Sequence, residues 1–531
     1  MSVFRDFLPL LLLVSLVSSA ESAEGNLSAA TAETEVKPRF DIWEYRVLGN
    51  TVLTPVQIET LIYPRLGKGK TIDSVEEVRQ ALETLYRDSG YGAVFVDIPE
   101  QDVEGGIVRL RVTEGRLDRV RVSGARYFAN SQIRAAIPAL TPGTVLNLPE
   151  LQSELALVNR LARDRSIAPV LRAGRTPGTV DVELKVKDEL PLHASVEVND
   201  RYTSDTSKTR ASINLSYDNF WQRYHSLSLQ YQTAPEASSE AQVIAATYLA
   251  PLSSGNLLAV YAVDTDSEVA TVGTLSVLGK GRIYGARYIV PLPESARYSH
   301  SMTFGGDFKD FEEDVRIDAD QGLSTPIQYA SWSMVYNGNV RTQSTTTSFN
   351  MGANLGIRGL ANDAAEFESK RFKASPNYFS LRADAAHDRA FLLGTRLALR
   401  LGGQYSVEPL ISNEQFSIGG AESVRGYLES ESLGDYGISG TLELQSPAIN
   451  RWLSPSIQQL YALLFADAGM VRVIDALKDQ ATGTDLSSWG AGVRFAGFGL
   501  TGSLDWAYPL RSTDGISVGD SRIHFLVRYA F

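Results

Sequence analysis

The chain has 531 residues, of which 44% are hydrophobic and 21% charged, with a formal net charge of −12 and no cysteine. The missing thiols exclude a disulfide scaffold, a thiolate metal site, an iron–sulfur cluster and a cysteine nucleophile, and the acidic balance argues against a general nucleic-acid binder. A mean hydropathy of −0.11 excludes a helical membrane protein and a disordered polyampholyte. It leaves room for a transmembrane β-barrel, whose polar lumen and loops average out its lipid face.

Residues 1–20 carry Arg5, an apolar run from Phe7 to Val17, and the small residues Ser18 and Ala20. The run is shorter than the roughly 20 apolar residues that a spanning helix needs, which favours a cleaved secretory signal peptide over an anchor. Residues 21–39 are small, polar and acidic and have too little apolar surface to offset ordering entropy, so a polar linker is expected there.

From residue 40 to 188 short strands alternate with helices, and the order occurs twice. The first unit, residues 40–115, has a strand at Trp43–Leu48, a helix opened by Thr54-Pro55, a second helix from Asp73 or Ser74 to Gly90, and strands at about 92–98 and 106–113. The second unit, residues 116–188, repeats this as a strand at Asp118–Ser123, helices at 130–137 and 149–164, and strands near 168–173 and 178–186. Both are small α+β modules of the order β-α-α-β-β.

From residue 189 to 531 period-2 alternation takes over. Ala211, Ile213, Leu215 and Tyr217 alternate with polar residues, as do Leu227, Leu229 and Tyr231, then Phe379, Leu381, Ala383 and Ala385. The final stretch alternates in the same way through Phe525, Val527, Tyr529 and Phe531, which have the form of a C-terminal assembly signal of an outer-membrane barrel. Arg382 and Asp384 place charges deep within a strand on the polar face, and Tyr217, Trp221 and Tyr508 sit near strand ends, as an interfacial girdle requires. Such segments recur about every twenty residues, which gives roughly sixteen or seventeen strands; barrels favour even numbers, so an antiparallel 16-stranded transmembrane barrel is expected. A soluble β-sandwich also alternates, but it has no use for deep charges or a girdle.

A connection of nearly thirty residues, 407–435, contains Ile418-Gly419-Gly420 and then Val424-Arg425-Gly426-Tyr427. Glu443 follows on the next predicted strand, and Phe465-Ala-Asp467-Ala-Gly469 on the strand after it. In these motifs, and in its signal, paired modules and barrel, the sequence resembles the two-partner secretion transporters (TpsB, of the FhaC/ShlB/HecB type) of the outer-membrane assembly superfamily. The resemblance implies that the two modules are POTRA domains in the periplasm. It also implies that the loop folds back into the lumen, where Arg425 meets the inward carboxylates of Glu443 and Asp467. A guanidinium offers a planar fork of donors to carboxylates, so such a contact would act as a latch. A plug helix, which the family often has at its N-terminus, is not identifiable in residues 21–39.

The function implied is outer-membrane export, without ATP, of an unfolded haemolysin- or adhesin-like exoprotein that adds as a strand to the modules, near 92–98 and 168–173 with the helices at 74–89 and 149–164. The expected partners are that client, the lipid and lipopolysaccharide of the outer membrane, and the barrel assembly machinery during biogenesis, with the protein itself a monomer. No enzyme, cofactor or metal site is expected. Gly67-Lys-Gly69-Lys70-Thr71 lacks the earlier glycine of a phosphate loop. Gly515-Ile-Ser517-Val-Gly519 lacks a strand-to-helix elbow, and His193, His225, His300, His387 and His524 are scattered. A barrel assembly factor of the same superfamily, a passive porin and a barrel-linked hydrolase are the alternatives. Deleting residues 40–188 would spare a porin's conductance, and Ser517→Ala would abolish a hydrolase.

Overall fold

The computed structural model describes residues 38–531 apart from 205, 268, 273–274, 313, 319–320, 325, 360–362, 453 and 479. The expected signal peptide and nearly all of the linker lie outside the described residues. The chain divides after Gly115 into two compact units.

In the first unit, Glu44–Leu48 runs parallel to Ile107–Glu114, which pairs antiparallel with Val94–Asp97. Thr54 caps the helix Pro55–Ile62 in a capping box with Gln57, and the proline occupies a position where its missing N–H costs nothing. The longer helix Ile72–Asp88 buries Val75, Val78, Leu82 and Tyr86, one stripe at helical spacing, against the sheet. One element was absent from the expected order. Gly67–Lys70, the stretch with a partial phosphate-loop pattern, is a short strand paired with Phe40–Ile42.

The second unit opens with the same design. Arg116–Ser123 lies parallel to Thr179–Asp188, which pairs antiparallel with Arg165–Ala173. The helices are Asn130–Ala135, shorter than expected, and Leu148–Leu161, whose Leu151, Leu155 and Val158 close over Leu117, Ile167 and Leu184.

The rest of this unit is a closed barrel in which sixteen strands follow one another antiparallel. They are Leu192–Asn199, Arg210–Phe220, His225–Thr233, Gln242–Pro251, Leu257–Asp266, Lys280–Pro291, Tyr298–Glu312 and Ile327–Arg341 in its first half. Thr345–Gly356, Phe379–Ala390, Arg396–Ser406, Tyr436–Gln445, Ile457–Arg472, Gly483–Gly497, Leu500–Pro509 and Arg522–Ala530 complete it. Closure pairs every wall strand on both sides, the condition for crossing a bilayer with strands. The register sorts the faces. Leu504 stands opposite Phe525, Trp506 opposite Ile523 and Leu500 opposite Tyr529, all on the outer face, while Ser503, Asp505 and His524 face inward. Trp489, Trp506 and Tyr508 cluster on the outside near one rim.

The second module packs on the barrel's first tight turn. In that turn Trp221, Gln222 and Tyr224 all take left-handed φ values of 59°, 55° and 60°. Asn219 and Gln222 donate to the Tyr127 carbonyl at 3.2 and 3.0 Å, and Ala129 N–H donates to Gln222 at 2.9 Å. Arg165 stands over the rings of Phe128 and Tyr224, 5.1 and 4.9 Å from their centroids. Bent backbone is thus held by a keyed contact.

Candidate functional site

The connection 407–435 does not extend outward from the strand Arg396–Ser406 but turns into the lumen. Within it Phe416–Ile418 and Ser432–Gly434 pair as a small hairpin. Phe416, Ile418, Val424 and Tyr427 are buried with Val471, Leu486 and Ile516 of the wall and its loops, so the hairpin is seated by an apolar cluster inside the barrel. The Tyr427 hydroxyl lies 3.0 and 2.9 Å from the carbonyls of Ser487 and Arg511 and accepts the Arg511 N–H at 3.1 Å.

Arg425 lies at the tip, 3% exposed. It donates from Nε and Nη2 to the two oxygens of Asp467 at 2.8 and 2.9 Å, a bidentate fork, and from Nη1 to Glu443 at 2.9 Å. Its own backbone N–H reaches Asp467 at 3.1 Å. The two carboxylates that the resemblance assigned to this arginine are therefore the ones it meets.

Three further partners were not foreseen. Asp505 stands 3.6 Å from Arg425 and is gripped at 2.6 and 2.9 Å by Arg494, while Arg400 reaches Glu443 at 3.5 Å. The three carboxylates Glu443, Asp467 and Asp505 thus face the three guanidinium groups of Arg400, Arg425 and Arg494. Desolvating Arg425 and the three carboxylates is expensive, and their mutual pairing, with Arg494 and the half-exposed Arg400 at its edge, offsets that cost. The signal in the sequence was the alternation itself, which puts Arg494 and Asp505 on the inner face but does not say which inner residues meet.

Gly426 adds a contact that a side chain would disturb. Its φ of 93° directs its N–H onto Nε2 of His524, 2.9 Å away. At the root of the loop, Asp435 is fully buried and held by both Nη atoms of Arg371, by the N–H groups of Leu410 and Ile474, and by Gln415. Arg371 follows the helix Ala364–Lys370, whose Phe367 packs against Tyr329 and Tyr378. The loop is therefore fixed at its tip and at its base.

On one side of the loop a cavity of about 670 Å³ opens into the lumen, lined among others by Asn337, Asp384, Arg400, Glu422, Ser423 and Thr441. Phe525, Val527, Tyr529 and Phe531 form the outer face of the last strand. Ser517 lies in the turn before that strand, as expected.

His193, scattered in sequence, meets Asp164 at 3.0 Å and Asp218 at 3.5 Å. Arg163 already lies among them, donating to His193 at 3.1 Å and to Asp218 at 2.8 Å, so the group is an ion-pair cluster where the second module joins the barrel.

The strand edges of the two modules share a detail. In the first, the N–H and C=O of Val96 are occupied by Glu83 at 3.0 Å and Arg79 at 3.1 Å, both from the adjacent helix. In the second, the N–H and C=O of Ile167 are occupied by Asn159 at 2.9 and 3.1 Å. Exposed edges are commonly blunted by side chains, and here one helix turn does so in each module. Hydrogen bonds from Arg79 and then Gln80 hold the Glu76 carboxyl down at about 2, whereas burial pushes the Tyr45 hydroxyl up to about 12.

Compared with known proteins, the outer membrane transporter CdiB of Dickeya dadantii is 23% identical over 89% of this chain and 83% of its own length. The heme/hemopexin transporter protein HuxB of Haemophilus influenzae is 19% identical over 75% and 71%. Among solved structures, CdiB from Escherichia coli superposes with a TM-score of 0.62 at 21% identity, covering 96% of this chain and 93% of that one. BamA from Haemophilus ducreyi lacking POTRA domains 1–3 gives 0.57 at 17% identity, covering 93% and 100%, and both share this fold. Residues 40–115 match the ShlB-type POTRA domain, and residues 178–495 match the haemolysin secretion/activation proteins ShlB/FhaC/HecB. With the larger part of its length matched, the chain belongs to the ShlB/FhaC/HecB family of haemolysin secretion/activation proteins.

Proposed function

We propose that this chain is an outer-membrane transporter that takes an unfolded exoprotein from the periplasm and exports it through the barrel lumen. Residues 1–20 are the export signal, residues 116–188 a second POTRA domain, and the protein works as a monomer inserted by the barrel assembly machinery among lipid and lipopolysaccharide. Folding of the client outside supplies the driving force, without ATP.

The observation that carries this reading is the burial of Arg425 among Glu443, Asp467 and Asp505 inside a closed barrel. A lumen obstructed by a separately clamped loop suits a regulated conduit better than a passive pore. The client pairs with the strand edges at Val94–Asp97 and Arg165–Ala173, displacing the side chains that cover them. Exposed Phe95 in the first module and Leu157, Leu161 and Leu171 in the second offer apolar contacts beside those edges.

The test is secretion of a large exoprotein bearing an N-terminal secretion domain, co-expressed in cells carrying Arg425→Ala. The variant should insert at wild-type abundance and lose export. Undiminished export at that abundance refutes the gating role, and loss of other barrels on depletion, rather than of one secreted protein, would instead identify an insertase.

A further inference from the structure

The barrel closes where its last strand, Arg522–Ala530, meets its first, Leu192–Asn199. That ladder covers five residue pairs, from Leu526 opposite Asn199 to Ala530 opposite Ser195, with Ala194 and Phe531 adding two hydrogen bonds at one end. The first strand's other neighbour pairs with it over eight positions. At the end nearer the loop the Asp200 N–H still donates to the Phe525 carbonyl at 3.3 Å, but side chains supply the remaining contacts. Asp200 Oδ1 accepts the Phe525 N–H at 2.8 Å, and Arg522 lies over the ring of Tyr202 at 5.1 Å.

The lumen loop bridges this stretch and touches both sides of the closure. Toward the last strand, Gly426 N–H donates to His524 Nε2 at 2.9 Å. Toward the first strand's hairpin, Glu422 pairs with Arg201 and Glu429 N–H donates to the Tyr202 carbonyl at 3.2 Å. His524 and Asp200 join the two sides. Their side chains are 5% and 7% exposed, and Nδ1 stands 3.0 Å from Asp200 Oδ2, near in distance although off the angle of a good hydrogen bond. With Nε2 accepting, the proton of the neutral ring lies on Nδ1, facing the carboxylate.

We propose that the loop is a staple across the first–last strand closure, with His524 and Asp200 as positioning residues that make seating of the loop and zipping of that seam one cooperative event. Withdrawal of the tip removes the Gly426 donor from His524 and the loop contacts from Arg201 and Tyr202, so the shortest seam loses its bridge. By linkage, forcing the seam closed must hold the loop in place to the same degree. The coupling gives a role to the loop movement in the proposed function, yet it is a property of the empty protein and is tested there.

The experiment is hydrogen–deuterium exchange of the full chain in lipid nanodiscs, read by mass spectrometry. Arg425→Ala and His524→Phe should each accelerate exchange in peptides 192–203 and 522–531 by about tenfold, while 327–356 on another part of the wall stays at wild-type rates. His524→Phe keeps a ring of similar bulk and removes the acceptor. The chain lacks native cysteine, so a disulfide between Val198→Cys and Val527→Cys, which face each other across the seam, forms without competing thiols. It should slow exchange of residues 416–434 relative to the reduced form. Should Arg425→Ala free the loop while the seam keeps wild-type rates, or should the disulfide leave loop exchange unchanged, the coupling is wrong even if Arg425→Ala abolishes export. Should His524→Phe fail to insert, the Arg425 and disulfide arms decide.

Discussion

The guanidinium carbon of Arg425 lies 3.4 Å from the centroid of the Phe465 ring, so the arginine is stacked on one residue of a strand and paired with another, Asp467, two positions along it. This relationship explains the Phe-x-Asp-x-Gly spacing in physical terms, because positions 465, 467 and 469 all project into the lumen from one strand. The phenylalanine offers a π face and the aspartate a fork acceptor. Glycine offers room, since a Cβ at 469 would come within 3.0 Å of Val424 and 3.2 Å of Ile418. Phe465→Leu should weaken loop seating by roughly 1–2 kcal/mol, and Gly469→Leu should displace Val424 outright. Both are read as faster exchange or proteolysis within 416–434.

Arg425 and Asp467 should behave as one unit. Arg425→Ala leaves Asp467 buried and uncompensated and should cost about 3–5 kcal/mol of loop stability, whereas Asp467→Ala leaves Arg425 its contacts with Glu443 and Asp505 and should cost less. The double variant should cost clearly less than the sum. Additive costs in a double-mutant cycle would show that the pair is not coupled.

Arg371→Ala should release the base of the loop rather than its tip. Asp435 would keep its neutral donors from Leu410, Ile474 and Gln415 but lose its counter-charge. Cleavage by external protease within 407–435 should rise, together with single-channel conductance in planar bilayers.

Asn159→Ala should leave the N–H and C=O of Ile167 without their present partners, at a cost of about 1–3 kcal/mol in the second module. The opened edge should also pair more readily with an added strand. Exchange protection of residues 165–173, measured with and without client peptide, tests both effects.

Acid should weaken the helix Ile72–Asp88 through Glu76. Its carboxyl is held near 2 when folded against an ordinary 4.5, so its contribution is complete above about pH 4.5 and fades as the pH falls towards 2. The pair with Arg79 is partly exposed, which keeps the effect small. Glu76→Gln should flatten the pH dependence of exchange in 72–88 across that window and leave it unchanged near neutrality.

Much of the architecture was legible because period-2 alternation survives wherever one face of a strand meets lipid. The closed barrel and its sixteen strands follow from that pattern, and the loop contact was implied by the family resemblance that three motifs carry. The rest depends on which inner residues meet. Tyr329, Ile327 and Phe311 are buried inward-facing residues where Phe367 and the nearby loops pack, so an apolar residue there does not mark the lipid face. Asp505, Arg494 and His524 look like any polar lumen residue until register brings them to Arg425 and Gly426. The edge caps from Arg79, Glu83 and Asn159 depend on how closely a helix approaches a strand, which no local pattern encodes.

The equality of charges around the loop tip has an electrical consequence. Were Arg425 to withdraw as proposed, Arg400 and Arg494 would remain to face Glu443, Asp467 and Asp505, leaving an excess of one negative charge among these groups. A passage so charged favours cations over anions and draws lysine- or arginine-bearing stretches of a polypeptide inward, so the reversal potential of the open state in a salt gradient should lie on the cation-selective side.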